Sequence, residues 1–506
     1  MLTRLKVTGF KNLVDVDVHF GPFTCIAGPN GVGKSNLFDA IRFLSATASQ
    51  MSLTEAAMSV RDEEQHAGSV PDIFHRVGGH TAETISFEAE ILLPRSGHDY
   101  LGKAVEAHST WVRYALQLGY RKGEAAGRET GVLEVLSEEL TPLDSSKWRH
   151  QVSFPQSVAW QESVLVGRKV KQLIATEEKE EVRLVRLYQE GRQGRAFNTP
   201  AREMPRTVLS TVQTAEYPTV VLARRELESW RFLQLESSAL RRPDSFTAPK
   251  RMGADGAHLP ATLYHLARQA RAGSDGETEA DREAAAVALY AHLANRLAGL
   301  IDDVRSISVE PDKGREVFTL MLTGRDGTVH PASALSDGTL RFLALGVAEL
   351  DRQAGGLICL EEPENGIHPR RIPAMLQLLQ DIAADTEAVC DDENPLRQVI
   401  VNTHSPSVVL QVPDDTLLVA ELVEDLWRPQ ADPAAQPLRF RKLQFSCPAG
   451  TWRTRTRKEH RITGKGLLLA YLNPPAAERG ERPSRKRVMD RDDLQMLLPI
   501  PSSASG

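Results

Sequence analysis

Phe23-Thr-Cys-Ile-Ala-Gly28-Pro29-Asn30-Gly31-Val32-Gly33-Lys34-Ser35-Asn36-Leu37 carries an apolar strand into a glycine-rich loop and then into the start of a helix. Gly28, Gly33, Lys34 and Ser35 fit the pattern G-x-x-x-x-G-K-[ST] of a phosphate-binding loop. Glycines let successive backbone N–H groups converge on a phosphate without Cβ clashes. The helix N-terminus adds partial positive charge. Lys34 is placed to reach the β- and γ-phosphates, and the Ser35 hydroxyl to take a Mg²⁺ position. The plainer alternative is a glycine turn before an ordinary helix. The strand before the loop and Leu37, Ile41, Phe43 and Leu44 after it weigh against that alternative. Gly28 to Asn36 are therefore the candidate nucleotide-binding residues.

Bulk properties narrow the rest. A chain of 506 residues can form several domain-sized pieces. Its formal net charge of −6 provides no global basic field for nucleic acid, so any DNA contact must come from a local patch. Cys25, Cys359, Cys390 and Cys447 are scattered, which suggests neither a zinc site nor a disulfide framework. Cys25 and Cys359 lie in apolar runs and read as reduced core residues. No apolar run reaches a membrane span and no signal peptide is expected, so the predicted location is the cytoplasm, away from membranes.

Along the chain, residues 2–8 and 14–20 alternate as a β-hairpin joined by Phe10-Lys11-Asn12-Leu13. Residues 48–72 read as a loop or irregular helix, and 83–92, 110–120 and 131–137 as strands of an antiparallel lobe. Val164–Val170 and Val182–Tyr188 read as strand-like, with Glu177-Glu-Lys-Glu-Glu and Arg192-Gln-Gly-Arg as solvated turns. Residues 221–240 are expected to be helical, as are 259–270 and 276–300. The last of these lacks the sustained heptads of a coiled-coil arm. Strands are expected at 305–310, 316–323, 415–421 and 438–445, and the last residues as a disordered tail.

Three further motifs carry chemistry. Leu335-Ser336-Asp337-Gly338-Thr339 opens an apolar helix and serves equally as an N-cap or as a second phosphate contact. Gly356-Leu-Ile-Cys-Leu-Glu361-Glu362-Pro363-Glu364-Asn365-Gly366-Ile-His368-Pro369 ends a buried strand in two carboxylates. That is where α/β sheets place ligand groups. One carboxylate can hold Mg²⁺ through water and the next can polarise the attacking water. Gln398-Val-Ile-Val-Asn402-Thr403-His404-Ser405-Pro406 ends another buried strand in a histidine able to bond a phosphate or the water.

Together these residues resemble the ABC-type ATPase heads of the SMC, RecF and OLD-like group. Gly28–Ser35 matches Walker A, Leu335–Thr339 the ABC signature, Leu357–Glu362 Walker B with its catalytic glutamate, Pro363–Pro369 the D-loop, and His404 the H-loop. The opening Leu5-Lys-Val-Thr-Gly-Phe10-Lys11-Asn12 is similar to that group's first strand and turn, and adds Lys11 and Asn12 to the ATP-binding candidates. Glu361 replaces the usual aspartate, as it does in the OLD-like branch. Gln50 is the Q-loop candidate by position alone. No Toprim nuclease pattern follows His404: Glu421 is strand-terminal, but Asp490-Arg-Asp492 follows a basic run.

The resemblance implies an α/β P-loop NTPase with a mixed or parallel core sheet, an antiparallel β-lobe and an inserted α+β region. The expected parts are 1–95 (first half of the ATPase), 96–300 (inserted lobe), 301–425 (second half) and 426–506 (an extension with a basic tail). It also implies ATP and Mg²⁺ as ligands, with the metal at Ser35 and Glu361. Two copies would form a head-to-tail homodimer in which Leu335, Ser336, Asp337 and Gly338 of one reach the nucleotide of the other. Glu362 and His404 are the expected catalytic pair. The implied work is DNA repair or anti-phage defence, with DNA and a separately encoded nuclease or effector as candidate partners. Arg453-Thr-Arg-Thr-Arg-Lys458 and Arg485-Lys-Arg487 are the candidate phosphate contacts, or a solvated tail. The alternative is a slow ATP-dependent switch that assembles an effector without binding DNA. A transporter ATPase would place its motifs closer together.

Overall fold

A computed structural model of the chain describes residues 1–60, 70–125, 128–167, 172–179, 182–190, 197–269, 279–301, 303–351, 355–427, 436–456, 461–464 and 466. Residues 1–463 form one compact unit. The second unit, Gly464–Gly506, lies almost wholly outside the described residues, and with it the expected basic tail, Arg485-Lys-Arg487 and Asp490-Arg-Asp492. Arg192-Gln-Gly-Arg also falls outside them.

The core is a six-stranded sheet in the order Arg231–Leu233, Gly356–Glu361, Arg397–Thr403, Phe23–Ala27, Leu417–Trp427, Leu438–Ser446. The first five strands are parallel and the last closes the sheet antiparallel. Phe23–Ala27 and Arg397–Thr403 are buried along their whole lengths, so neither alternates between apolar and polar faces; the Val399-Ile-Val apolar centre of the second is flanked by buried Gln398 and Asn402. The Lys34–Ala48 helix covers one face through Leu37, Phe38 and Ile41. The Ile372–Ile382 helix packs on Arg397–Thr403 and on the Asp337–Leu350 helix. The phosphate-binding loop, the Glu361–Glu362 turn and His404 leave this sheet at the carboxyl ends of three neighbouring strands, whereas Leu335–Thr339 follows a separate, smaller sheet.

An eight-stranded antiparallel sheet runs Phe197–Pro200, Val182–Leu187, Ile174–Lys179, Arg128–Pro142, Trp111–Ala125, Thr84–Leu92, Leu2–Phe10, Leu13–His19. It packs on the other side of the Lys34–Ala48 helix, where the rings of Phe10, Phe43 and Phe87 meet at 5.4–6.1 Å. This sheet passes straight through the boundary expected at residues 95/96: the hairpin 111–142 and the strands to 200 continue the lobe begun by 2–19 and 84–92. A smaller sheet of Val304–Asp312, Val317–Gly324, Val329–Pro331 and Asp244–Ser245 is flanked by helices Leu259–Gln269 and Glu279–Leu297.

Three local expectations change and a fourth is made specific. Residues 221–240 are not one helix: Pro218–Glu228 is helical, Arg231–Leu233 is the edge strand beside Gly356–Glu361, and Ser237–Leu240 is a single helical turn. A three-residue strand has too few positions to show a period, and its partner lies over a hundred residues downstream. Glu177-Glu178-Lys179 is not a turn but the end of a strand, where Glu177 pairs with Arg186 at 2.9 Å across the ladder. Val164 ends the helix Val158–Val164 rather than opening a strand. Within 48–72, Leu53–Met58 is a helix opened by a Ser52–Glu55 capping box.

Candidate ATP-binding and hydrolysis site

The phosphate-binding loop joins the Phe23–Ala27 strand to the Lys34–Ala48 helix. Pro29, Asn30 and Gly31 form its exposed lip. Gly33, at φ 96°, turns the chain into the helix, and a Cβ there would sit 2.1 Å from Asn12 Nδ2. Both the backbone angle and the close approach require glycine. Gly28 abuts the next strand, where a Cβ would meet Ala420 O at 2.6 Å.

Lys34 is only 7% exposed, and its ammonium donates to Gly28 O (2.7 Å) and Pro29 O (2.9 Å). Burial lowers its pKa, against the attraction of Glu362, Glu364 and Glu361. Three carboxylates thus converge electrostatically on the loop lysine.

The remaining loop candidates divide by role. Val32 is buried in the core, and Asn36 Nδ2 is donated to Asn12 Oδ1 (2.9 Å). Asn12 Nδ2 in turn donates to Val32 O (3.0 Å). Asn12 therefore buttresses the loop from behind, and Asn36 faces Asn12. Lys11, at φ 46°, pairs with Asp39 of the loop helix at 2.9 Å. Gln50 is exposed past the C-terminus of the Lys34–Ala48 helix, which places it about 20 Å from the loop at 1.5 Å rise per residue. It cannot serve the phosphates.

Glu361 ends its strand beside Asn402, and Glu362 leaves it with φ 45°, a left-handed conformation costly for a side chain with a Cβ. Its N–H is held by Asn402 O (3.0 Å) and Asn402 Oδ1 (3.1 Å), which fix that turn. The turn aims the Glu362 carboxylate at His404: Nδ1 to Oε1 is 2.7 Å. Asn365 Nδ2 donates to Oε2 at 2.7 Å. Burial works to raise the pKa of Glu362, but the bonds from Asn365 and His404 outweigh it, and the carboxyl is held below its usual range. An ionised carboxylate only accepts, so the His404 Nδ1 carries the proton and Nε2 is the ring's other face. Glu364, 8% exposed, takes the Thr403 hydroxyl on Oε1, and burial raises its pKa.

Ser336 caps the Asp337–Leu350 helix by accepting from Thr339 N at 3.2 Å, so the capping role read from the sequence is present. The same turn lies against the 362–369 turn, since a Cβ on Gly338 would be 3.0 Å from Gly366 O. Asn365, Asn402 and Glu364 lie inside the quoted motifs and take roles the sequence reading does not give them: Asn402 and Glu364 find partners across neighbouring strands, and Asn365 finds Glu362 within its own turn. Arg453 moves the other way: it is 1% exposed and donates to His19 O (3.0 Å), Asp415 O (2.5 Å) and Thr24 Oγ1 (3.3 Å). It is a core clamp, and Lys458 lies outside the described residues.

A phosphate-binding loop flanked by a strand-end carboxylate and a histidine from the next strand defines an ATPase head of the SMC/RecF/OLD-like group. The family model described as "AAA domain, putative AbiEii toxin, Type IV TA system" matches residues 144–410, more than half of the chain, and the chain belongs to that family. A second model, "RecF/RecN/SMC N terminal domain", matches residues 1–80. A DNA replication and repair protein RecF of Porphyromonas gingivalis is 38% identical over 68 residues, 13% of this chain and 18% of the relative. An OLD nuclease of Thermus scotoductus is 51% identical over 41 residues, 8% of each chain. The chain thus spans less than a fifth of the length of either relative. A crystal structure of an Smc head bound to the C-winged helix domain of ScpA aligns over 87% of this chain and 98% of its own, at 12% identity and a TM-score of 0.44. Among the described residues no helix is long and apolar enough to cross a membrane.

Proposed function

We propose that the chain binds ATP with Mg²⁺ and hydrolyses it at a site that a second copy completes. The observation that carries this is the Glu362–His404 contact at 2.7 Å, beside a phosphate-binding loop whose lysine feels three carboxylates. Gly28 to Lys34 cradle the phosphates, with Lys34 exchanging its loop carbonyls for phosphate oxygens. Asn12, Asn36 and Lys11 act at one remove, holding the loop and its helix. A hydroxyl and a carboxylate are the hard oxygen donors Mg²⁺ takes, so Ser35 and Glu361 would hold it; bound, it supplies positive charge at the phosphates. Glu362, ionised and oriented by Asn365 and His404, accepts a proton from the attacking water. His404, with Nδ1 committed to Glu362, presents Nε2 to the transferring group when doubly protonated.

The partner copy supplies Ser336 and Gly338, with Leu335 and Asp337 framing them. A γ-phosphate shared across the interface makes closure depend on ATP and reopening on hydrolysis. Adding ATP to an E362Q variant should convert monomer to a stable dimer by light scattering. If that variant hydrolysed ATP at the wild-type rate, or no nucleotide state dimerised, the corresponding part of this reading would fall.

For the output we propose a cytoplasmic DNA-linked role, in repair or in anti-phage defence, with a separately encoded nuclease or effector as the partner. The match to a DNA replication and repair protein and to a nuclease supports it. Stimulation of the ATPase by duplex DNA, declining with salt, tests direct contact. Turnover slower than about one per hour together with ATP-dependent retention of the effector would instead select the switch reading.

A further inference from the structure

Residues 231–241 contact the carboxylate-bearing strand, the phosphate-loop helix and the Leu335–Gly338 turn. Strand Arg231–Leu233 lies parallel to Gly356–Glu361, with Phe232 opposite Cys359. The Arg42 guanidinium of the phosphate-loop helix stacks over the Phe232 ring at 4.6 Å. The chain then passes Gln234 and Glu236, whose N–H groups donate to Ala254 O and Asp255 O at 2.8 Å each, and forms the turn Ser237–Leu240 against the Asp337–Leu350 helix. It ends on Arg241, whose Nη2 donates to Asp337 Oδ1 (2.6 Å) and Leu335 O (3.0 Å). Arg241, with Ser237 beside it, holds the Asp337 carboxyl below its usual range. Arg241 therefore grips the residues on both sides of Ser336.

The chemistry gives this grip a purpose. A carboxylate at the first turn of a helix suits the helix dipole, but it repels a triphosphate offered to that turn. Asp337 is half exposed, and Arg241 both neutralises it and fixes the turn around Ser336. We propose that Arg241 is a positioning residue that sets the Leu335–Gly338 turn for the nucleotide held by the partner copy. The 231–241 strap then links a subunit's own loop helix and carboxylate strand to the surface it presents in trans. This rests on the composite-site reading above.

The test uses the full chain. A partly exposed ion pair contributes little to global stability, so R241A should fold. It should bind ATP as the wild type does while its ATPase falls roughly tenfold or more, the pattern of an interaction made outside the ground-state complex. K34A, with no usable phosphate loop but an intact Leu335–Gly338 turn, is then mixed with R241A. Half of random dimers carry one intact composite site, so activity should recover to about one quarter of the wild-type rate. S336R mixed with K34A is the control for trans complementation.

Recovery in both mixtures supports the assignment. Recovery with S336R but not with R241A, or full activity of R241A alone, overturns it. Recovery in neither overturns the composite site itself, and this assignment with it. D337N removes the charge that Arg241 neutralises, so R241A/D337N should outperform R241A. A double variant no better than R241A overturns the neutralising role, whether or not R241A is less stable than the wild type.

Discussion

Glu138 offers a quantitative check on how the β-lobe is tied to the phosphate-loop helix. Its carboxyl is fully buried and accepts from Val208 N (2.7 Å), Leu209 N (2.8 Å) and the Tyr114 hydroxyl (3.3 Å). One residue earlier, the Thr207 hydroxyl donates to Thr47 O near the end of the Lys34–Ala48 helix (2.7 Å), so the Glu138 clasp and the loop helix share one short segment. Burial drives the Glu138 pKa up to about 7 from 4.5, against the pull of its three donors. A carboxyl whose native pKa is raised disfavours the native state once it ionises. Its contribution is therefore greatest below pH 4.5, is lost progressively as pH rises, and is fully lost above pH 7. The shift of about 2.5 units corresponds to about 3 kcal/mol at 1.36 kcal/mol per unit.

The perturbation is E138Q, which cannot ionise. Urea unfolding of both proteins at pH 5 and pH 8 isolates this group, because all other titrations cancel in the difference. The wild type should lose stability relative to E138Q by about 2–3 kcal/mol between those pH values. A difference that does not change with pH would refute the reasoning. So would the opposite sign, which would mean that two backbone N–H donors outweigh desolvation and hold the carboxyl below 4.5.

Two other outcomes follow from the site and its surroundings. N365A removes a donor that holds the Glu362 pKa down, so the acidic limb of the ATPase pH–rate profile should move to higher pH, with ATP binding unchanged. An unmoved limb would separate Glu362 from the ionisation that controls the rate. R453A removes the shared donor of His19 O, Asp415 O and Thr24 Oγ1; Asp415 O keeps Trp452 Nε1 and Thr24 Oγ1 keeps Gly21 N, so the melting temperature should fall by the loss of the hydrogen bonds themselves, at about 1 kcal/mol each. It should leave the salt dependence of any DNA stimulation unchanged, whereas a changed salt slope would return Arg453 to the phosphate-contact role.

What was legible in the sequence was the chemistry carried by contiguous residues. Gly28 to Ser35 identifies itself because a phosphate loop needs its glycines, lysine and hydroxyl at fixed covalent spacing, and the structure supplies the strand before and the helix after. The strands ending at Glu361 and Thr403 were legible because burial on both faces leaves apolar centres without alternation, residues 357–360 and 399–401. The convergence of these segments in one site followed from order and resemblance, not from any local property.

Tertiary structure alone decided how those residues are used. Glu362 reaches His404 because its backbone turns left-handed over Asn402, a residue of a different strand. Asn36, inside the motif, turns to Asn12, while Arg453, in a run that reads as a basic surface, closes the core. Arg231–Leu233 became a strand only because Gly356–Glu361 offered an edge, and Arg241 found Asp337 only because that strand brought it there. The physical reason is common to all of these. Covalent spacing constrains what a segment can do by itself, but a side chain's partner is chosen by which strands and turns lie beside it, and that is a property of the packed chain.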